Sequence, residues 1–216
     1  MTDALLHAVG GATWAEASPT APVVVLLLHG YGSHERDLVP IVTEVGVTAP
    51  WASLRAPLEL GDGGAAWFAI ETLGDPPAAP VEAATAAIWE WVDAHVPATA
   101  RVLPIGFSQG GFMATQLLRT RPDRVVAPVV LAGFVLGAPQ PADERLAADR
   151  PALFWGRGDA DRVIPVEAVE RAGSFLRASS TLVERVYPGL GHGVGAAEVA
   201  DVRAFIAEQL GADAIG

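Results

Sequence analysis

The sequence Ile-Gly-Phe-Ser-Gln-Gly-Gly at residues 105–111 contains a serine between two glycines, at the spacing Gly-x-Ser-x-Gly. It follows a short apolar run at residues 101–105 and precedes a helical pattern at residues 112–119. A sharp turn from a strand into a helix strains its central residue, and side chains at Gly106 and Gly110 would collide with the neighbouring strand and helix. The stretch therefore predicts a tight strand-to-helix turn at Ser108.

Two interpretations of this turn are open. In the first, Ser108 is a nucleophile exposed at the top of a parallel sheet, the arrangement called a nucleophile elbow. In the second, Ser108 only caps the helix that follows it, as serine commonly does. A chain rich in alanine and glycine produces this pentapeptide by chance, so the rest of the sequence must decide between the two.

Length and composition indicate a well-buried globular chain. Its 216 residues are 51% hydrophobic and 18% charged, and we expect one domain spanning residues 1–216. The formal net charge of −11 predicts repulsion from nucleic acid and from anionic membrane surfaces. The absence of cysteine excludes disulfides, thiolate metal sites and cysteine nucleophiles, and no zinc-binding spacing of histidines occurs.

The N-terminal sequence has no basic region followed by an apolar stretch and a cleavage site. Apolar runs such as Val23–Leu28 are far shorter than the roughly 20 residues that span a bilayer. We therefore expect a cytoplasmic protein without membrane insertion.

Short apolar runs alternate with helical patterns along the chain. Val23–Leu28 is continuous and begins with β-branched residues, which is typical of a central parallel strand covered on both faces. The alternation predicts an α/β fold with a mostly parallel sheet and helices on both faces. Further strands are predicted at residues 51–56, 101–105, 125–135, 152–156 and 181–187, helices at residues 35–45, 81–96, 112–119, 166–178 and 196–210, and a short edge strand within residues 1–20.

Two connections bear on the shape of a site. Residues 57–80 are rich in glycine and proline and read as a loop, longer than a packed domain usually carries without a function. Within it, Trp67 and Phe68 are candidates to line an apolar substrate pocket, with simple packing as the alternative. Between the strands ending near residue 135 and starting at residue 152, the chain is too short for a large cap domain.

The loops after the predicted strands carry the residues that could activate a serine. A serine hydroxyl needs a base to take its proton, and a third group must orient that base. After Ser108 come Asp159 and Asp161 in one loop and His192 in the next, which matches the chain order serine, acid, histidine. Asp159 could instead stabilise its own turn, so the choice between the two aspartates stays open at this point.

A tetrahedral intermediate also needs N–H donors for its oxyanion. The residue after the nucleophile supplies one, the N–H of Gln109, and the loop after Val23–Leu28 supplies a second, the N–H of Tyr31. His29 is interpreted as structural, with its ring bonded to the backbone of this loop. A dinucleotide site is discounted because its third glycine would fall at position 35, which is Glu35.

Four stretches resemble the phospholipase/carboxylesterase family of α/β-hydrolases, which includes acyl-protein thioesterases. They are Leu-His-Gly-Tyr-Gly-Ser at residues 28–33, Gly-Phe-Ser-Gln-Gly-Gly at 106–111, Gly-Asp-Ala-Asp-Arg-Val-Ile-Pro at 158–165, and Gly-His at 191–192. The resemblance runs from about residue 23 to the end. It implies the α/β-hydrolase fold and a serine carboxylesterase that works without cofactor or metal.

The same resemblance implies a role for each site residue. It assigns Asp161, four residues before a proline, as the acid, with Ser108 as nucleophile and His192 as base. Tyr31 and Gln109 become the oxyanion donors through their backbone N–H groups. The chain departs from the family in having an arginine at position 157, where histidine is usual, and a glycine at position 193, where a hydroxyl residue is usual. Both departures concern substrate preference and leave the triad intact.

The expected reaction is hydrolysis of short-to-medium acyl esters of small alcohols through an acyl-enzyme. An acyl-protein thioesterase or a lysophospholipase with the same triad is the alternative, and a protein that only binds a small ligand in the same pocket is the rival from another class. The expected partner is a small-molecule ester, and a homodimer is a possible assembly.

Overall fold

A computed structural model describes residues 8–10, 22–72 and 74–216. Among these residues, seven strands form one central sheet in the order β1-β3-β2-β6-β7-β8-β9, in which β1 is antiparallel to β3 and all other neighbours are parallel. A separate hairpin joins β4 and β5. The strands are β1 (Ala8–Gly10), β2 (Val23–Leu28), β3 (Trp51–Leu54), β4 (Leu58–Glu59), β5 (Ala65–Ala66), β6 (Arg101–Phe107), β7 (Val129–Leu131), β8 (Ala152–Gly158) and β9 (Thr181–Tyr187).

Six α-helices within the described ranges cover the two faces of this sheet. They are α1 (Val39–Val45), α2 (Ala78–His95), α3 (Gln109–Thr120), α4 (Asp143–Asp149), α5 (Val166–Ser179) and α6 (Ala196–Leu210). None of the helices described is long and apolar enough to cross a membrane.

Successive side chains of a strand point to opposite faces, and β2 shows the result. Val24, Leu26 and Leu28 pack with α2, α3 and α5, whereas Val25 and Leu27 pack with α1 and α6. The predicted mostly parallel sheet with helices on both faces is therefore confirmed.

Several predicted boundaries move for identifiable reasons. The helix predicted at residues 35–45 begins only at Val39, because Pro40 belongs in a first turn, where no N–H is required. The strand predicted at residues 125–135 shortens to Val129–Leu131, since Pro128 cannot donate to the sheet and Ala132 adopts a positive φ of 48°. Strand β9 and helix α6 have the predicted bounds.

Other differences concern short elements. The predicted loop at residues 57–80 contains the β4–β5 hairpin, and its last residues already belong to α2. Between β7 and β8 lies only the seven-residue helix α4, which the sequence did not reveal, so there is no large cap there. Strand β1 lies at the sheet edge, as the predicted edge strand would; the other residues of the 1–20 segment are outside the described residues.

Candidate active site

Ser108 lies between β6 and α3 with φ 54° and ψ −113°, a conformation that a non-glycine residue rarely adopts. A Cβ at Gly106 would collide with the backbone carbonyl of Gly110, and a Cβ at Gly110 would collide with the carbonyl of Leu28 on β2. Glycine is therefore required at both positions, and the turn can close tightly. The Ser108 side chain makes no capping hydrogen bond to α3, which argues against the helix-cap interpretation.

Three loops at the carboxyl edge of the sheet bring Ser108, His192 and Asp161 into one row. Ser108 Oγ lies 2.9 Å from Nε2 of His192, and Nδ1 of His192 lies 2.7 Å from Oδ2 of Asp161. A carboxylate only accepts hydrogen bonds, so Nδ1 carries the proton and Nε2 is left to accept from the serine hydroxyl. The side chains of His192 and Asp161 are only 16% and 10% exposed, which limits competition from water.

The two candidate aspartates have different partners. The second oxygen of Asp161, Oδ1, accepts from the backbone N–H of Val163 at 2.8 Å and that of Ile164 at 3.3 Å, which fixes the carboxylate beneath the imidazole. Asp159 is exposed, and its carboxylate accepts a hydrogen bond from the N–H of Gly189 at 2.7 Å. It therefore connects the loop after β8 to the loop after β9. The geometry therefore places Asp161, and not Asp159, beside His192.

Tyr31 and Gln109 line the same cavity as Ser108, and their backbone N–H groups are the predicted oxyanion donors. Within the described part of the chain, neither N–H donates a hydrogen bond to another protein group. An oxyanion hole would require unused N–H donors of this kind beside the serine.

His29 holds the loop that carries Tyr31. Its ring Nδ1 lies 2.7 Å from the carbonyl of Gly30, and its Nε2 accepts from the N–H of Ala56 at 3.1 Å. An accepting Nε2 assigns the donor role to Nδ1 and hence a neutral ring. Burial lowers the pKa of His29, which agrees with that state. His29 thus has a structural position within the loop.

The side chain of Gln109 has a position that the sequence did not indicate. Its Oε1 accepts from the N–H of Trp67 at 2.9 Å, and its Nε2 donates to the carbonyl of Phe68 at 2.8 Å. The residue is 3% exposed, so both bonds are shielded from water. The Gln109 side chain therefore joins the turn at Ser108 to the long loop.

A cavity of about 240 Å³ opens beside Ser108 and His192. Phe68 lines it, but Trp67 does not: the indole is buried, and its N–H donates to the carbonyl of His29 at 2.8 Å. This hydrogen bond holds the Trp67 ring, so Phe68 is the one of the two aromatic candidates that lines the cavity. Trp67 instead anchors the loop.

Arg171 on α5 forms a hydrogen bond with the C-terminal part of the long loop. Arg171 donates to the carbonyl of Gly74, which lines the cavity, and to that of Val135 at 3.5 Å. This wall contact was also missed from the sequence, because it joins residues almost 100 positions apart. In the described ranges, no group of three or more acidic or histidine side chains is placed to hold a metal ion.

Comparisons with known proteins find similar sequences and structures among carboxylesterases. Carboxylesterase SOBER1 of Arabidopsis thaliana is 25% identical over 214 residues, covering 88% of this chain and 92% of that protein. Its crystal structure matches with a TM-score of 0.72 over 87% of this chain and 99% of the other. A carboxylesterase of Bacillus cereus shares the fold with a TM-score of 0.79, at 22% identity over 95% of each chain.

A second relative covers about half of each sequence. Acyl-protein thioesterase 1 of Saccharomyces cerevisiae is 30% identical over 110 residues, which is 49% of this chain and 48% of that protein. The model of the family described as Phospholipase/Carboxylesterase matches residues 12–210, nearly the whole sequence. The fold is that of the α/β-hydrolases, and the chain belongs to the phospholipase/carboxylesterase family.

Proposed function

We propose that this protein is a serine carboxylesterase that hydrolyses short-to-medium acyl esters. The observation that carries the proposal is the row from Ser108 through His192 to Asp161, with separations of 2.9 and 2.7 Å. These are hydrogen-bond distances, so a proton can move from the serine hydroxyl to the imidazole as the nucleophile attacks.

Each step of the reaction then follows from a named group. Ser108 Oγ attacks the ester carbonyl carbon while His192 Nε2 takes its proton, and Asp161 stabilises the imidazolium. The N–H groups of Tyr31 and Gln109 receive the oxyanion. The tetrahedral intermediate collapses, His192 gives the proton to the leaving alkoxide, and the alcohol departs. Water repeats the attack on the acyl-enzyme and releases the carboxylic acid and Ser108.

The size of the cavity is an argument for a small substrate. Its volume of about 240 Å³ lies below the ~300–1,000 Å³ that is typical of pockets for drug-sized ligands. The short α4 segment adds no cap, so the mouth is open, and its rim includes the exposed apolar side chains of Tyr31, Ile70 and Val163. A long acyl chain would extend beyond the cavity and leave much of its surface in water.

An acyl-protein thioesterase or a lysophospholipase is the second candidate. An open mouth with an apolar rim also suits a thioester presented on another protein, and the yeast relative is named for that activity. A binding protein without catalysis is the weaker proposal, because ligand binding alone does not require three side chains in proton-transfer geometry.

Active-site labelling tests the proposed function. A fluorophosphonate probe should label the wild-type protein, and Ser108→Ala should abolish labelling and hydrolysis of p-nitrophenyl esters. Ser33→Ala is the matched control, because Ser33 lines the same cavity and should keep its label. A wild-type protein that neither labels nor hydrolyses esters of any chain length would overturn the proposal. A panel of oxygen esters, thioesters and lysophospholipids then separates the two catalytic candidates.

The remaining parts of the proposal concern location and partners. We propose a cytoplasmic protein that acts on small-molecule esters. Its net charge of −11 disfavours a nucleic-acid partner and insertion into anionic membranes. A homodimer is the assembly to test, by light scattering at several protein concentrations.

A further inference from the structure

The cavity beside Ser108 has an uneven distribution of charge. Aromatic side chains form much of its wall, contributed by Tyr31, Phe68, Phe107 and Phe134. Of the wall residues that the structure describes, Asp37 alone has an acidic side chain, and none is an arginine or lysine. The cavity is thus an apolar, aromatic chamber with a single carboxylate.

The fold does not account for this carboxylate. Asp37 is exposed, and within the described ranges its side chain makes no hydrogen bond or ion pair. It precedes α1 but does not cap it, since the N-cap is Leu38 and no side-chain capping bond forms there. An aspartate that only stabilised a turn or a helix end would show one of these contacts.

Nearby charges leave the Asp37 carboxylate uncompensated. Arg55 is bound to Glu35 at 2.9 Å and to Glu59 at 2.6 Å, so these three side chains together carry a net negative charge. The neighbouring Arg36, also within the described ranges, is exposed and forms no ion pair with Asp37. The Asp37 charge nevertheless acts inward, because it raises the pKa of buried His29 against the larger lowering effect of burial. The Asp37 carboxylate therefore contributes negative charge on the side of the cavity lined by Gly30 and Tyr31.

Resting on the proposed esterase function, we infer that the preferred substrates are esters carrying a positively charged ammonium group, which Asp37 selects. A cation gains from the carboxylate and from the faces of aromatic rings, and quaternary ammonium groups are recognised in aromatic surroundings of this kind. The net charge of −11 attracts such substrates over longer range. An anionic ester meets repulsion at both distances.

Matched pairs of substrates test this inference, because they differ only in a nitrogen cation replaced by carbon. The first pair is acetylcholine and 3,3-dimethylbutyl acetate, with the charge in the alcohol. The second is the p-nitrophenyl esters of 4-(trimethylammonio)butyric and 5,5-dimethylhexanoic acid, with the charge in the acyl group. For at least one pair, we expect the cationic-to-neutral ratio of kcat/KM to fall roughly tenfold in Asp37→Asn, as for one partly screened charge pair.

Glu44→Gln is the control, since it removes the same charge from an exposed site on α1 that does not line the cavity, and the ratio should stay at the wild-type value. As a second measurement, butyltrimethylammonium should inhibit hydrolysis of a neutral ester, with its Ki raised roughly tenfold by Asp37→Asn at low salt.

The outcomes separate the inference from the proposed function. Ratios and Ki values that are the same in wild type and Asp37→Asn, while neutral esters are still hydrolysed, would overturn the role of Asp37 and leave the esterase intact. Loss of the ratio in Glu44→Gln as well would assign the preference to net charge and also overturn it. Failure to hydrolyse any of the four esters, together with absent fluorophosphonate labelling, would reject the proposed function itself.

Discussion

Glu198 on α6 should make the stability of this protein depend on pH. Its side chain is fully buried against the backbone of Gly156 on β8, and no hydrogen bond of standard geometry reaches either carboxyl oxygen. Burial raises the pKa of Glu198 from its ordinary value of 4.5 to about 7, against an opposing effect of the Gly195 N–H and with a smaller upward contribution from Asp201. We therefore choose Glu198→Gln as the perturbation.

The sign and size of the effect follow from proton binding. Between pH 4.5 and about 7 the folded protein retains a proton that the unfolded chain has released, so the free energy of unfolding falls as the pH rises. A shift of this size corresponds to about 3 kcal/mol, reached near pH 7 and constant above it. Glutamine keeps the shape of the protonated acid and cannot ionise, so the variant lacks this loss.

Urea unfolding at pH 5, 6, 7 and 8, followed by circular dichroism, measures the effect. The stability of Glu198→Gln relative to wild type should rise by about 2–3 kcal/mol across this range, since a small part of the effect is already present at pH 5. Glu208→Gln is the control, because Glu208 is exposed on the same helix, and its difference from wild type should not change with pH. A Glu198→Gln difference that is equally flat would refute the buried, proton-retaining carboxyl.

The other predictions concern the active site. Asp161→Asn should lower kcat about 10⁴-fold, because an amide no longer fixes the protonated Nδ1 of His192, whereas Asp159→Asn should cost less than about tenfold; steady-state kinetics that show equal losses would contradict the assignment of the acid. Gln109→Met should lower the free energy of unfolding by about 2–4 kcal/mol, because the backbone groups of Trp67 and Phe68 lose their buried partners, and an unchanged urea midpoint would contradict this role of Gln109. Gly110→Ala should yield little folded protein, and a soluble, active variant would show that the turn is less crowded than described.

The sequence predicted well what depends on local constraints. Glycine is required at positions 106 and 110 because a Cβ there would collide with backbone in the turn or in the adjoining strand β2. The pentapeptide therefore contains most of the information about its own conformation. The bounds of α6 and β9 follow from hydrophobic periodicity and agree with the prediction. The convergence of the loops that carry Ser108, Asp161 and His192 follows from the parallel sheet, because all three loops leave its carboxyl edge.

Contacts between distant residues could not be predicted in the same way. The choice of Asp161 over Asp159 depends on which carboxylate faces a histidine about 30 positions further along, and the local sequence left it open. The hydrogen bonds from Gln109 to the backbone of Trp67 and Phe68 have no periodic signal in the sequence. The burial of the Trp67 ring away from the cavity has none either. The burial of Glu198 has no local signal either, since it comes from the packing of α6 against β8.

The most direct test of the central claim is to identify the residue that is acylated during turnover. The protein would be mixed with p-nitrophenyl acetate, quenched in acid within the first turnovers, digested and analysed by peptide mass spectrometry. The account predicts one acetyl group on Ser108, absent in Ser108→Ala and more abundant when deacylation is slowed. Turnover of the ester with Ser108 unmodified throughout, or with the acetyl group on another residue, would contradict it.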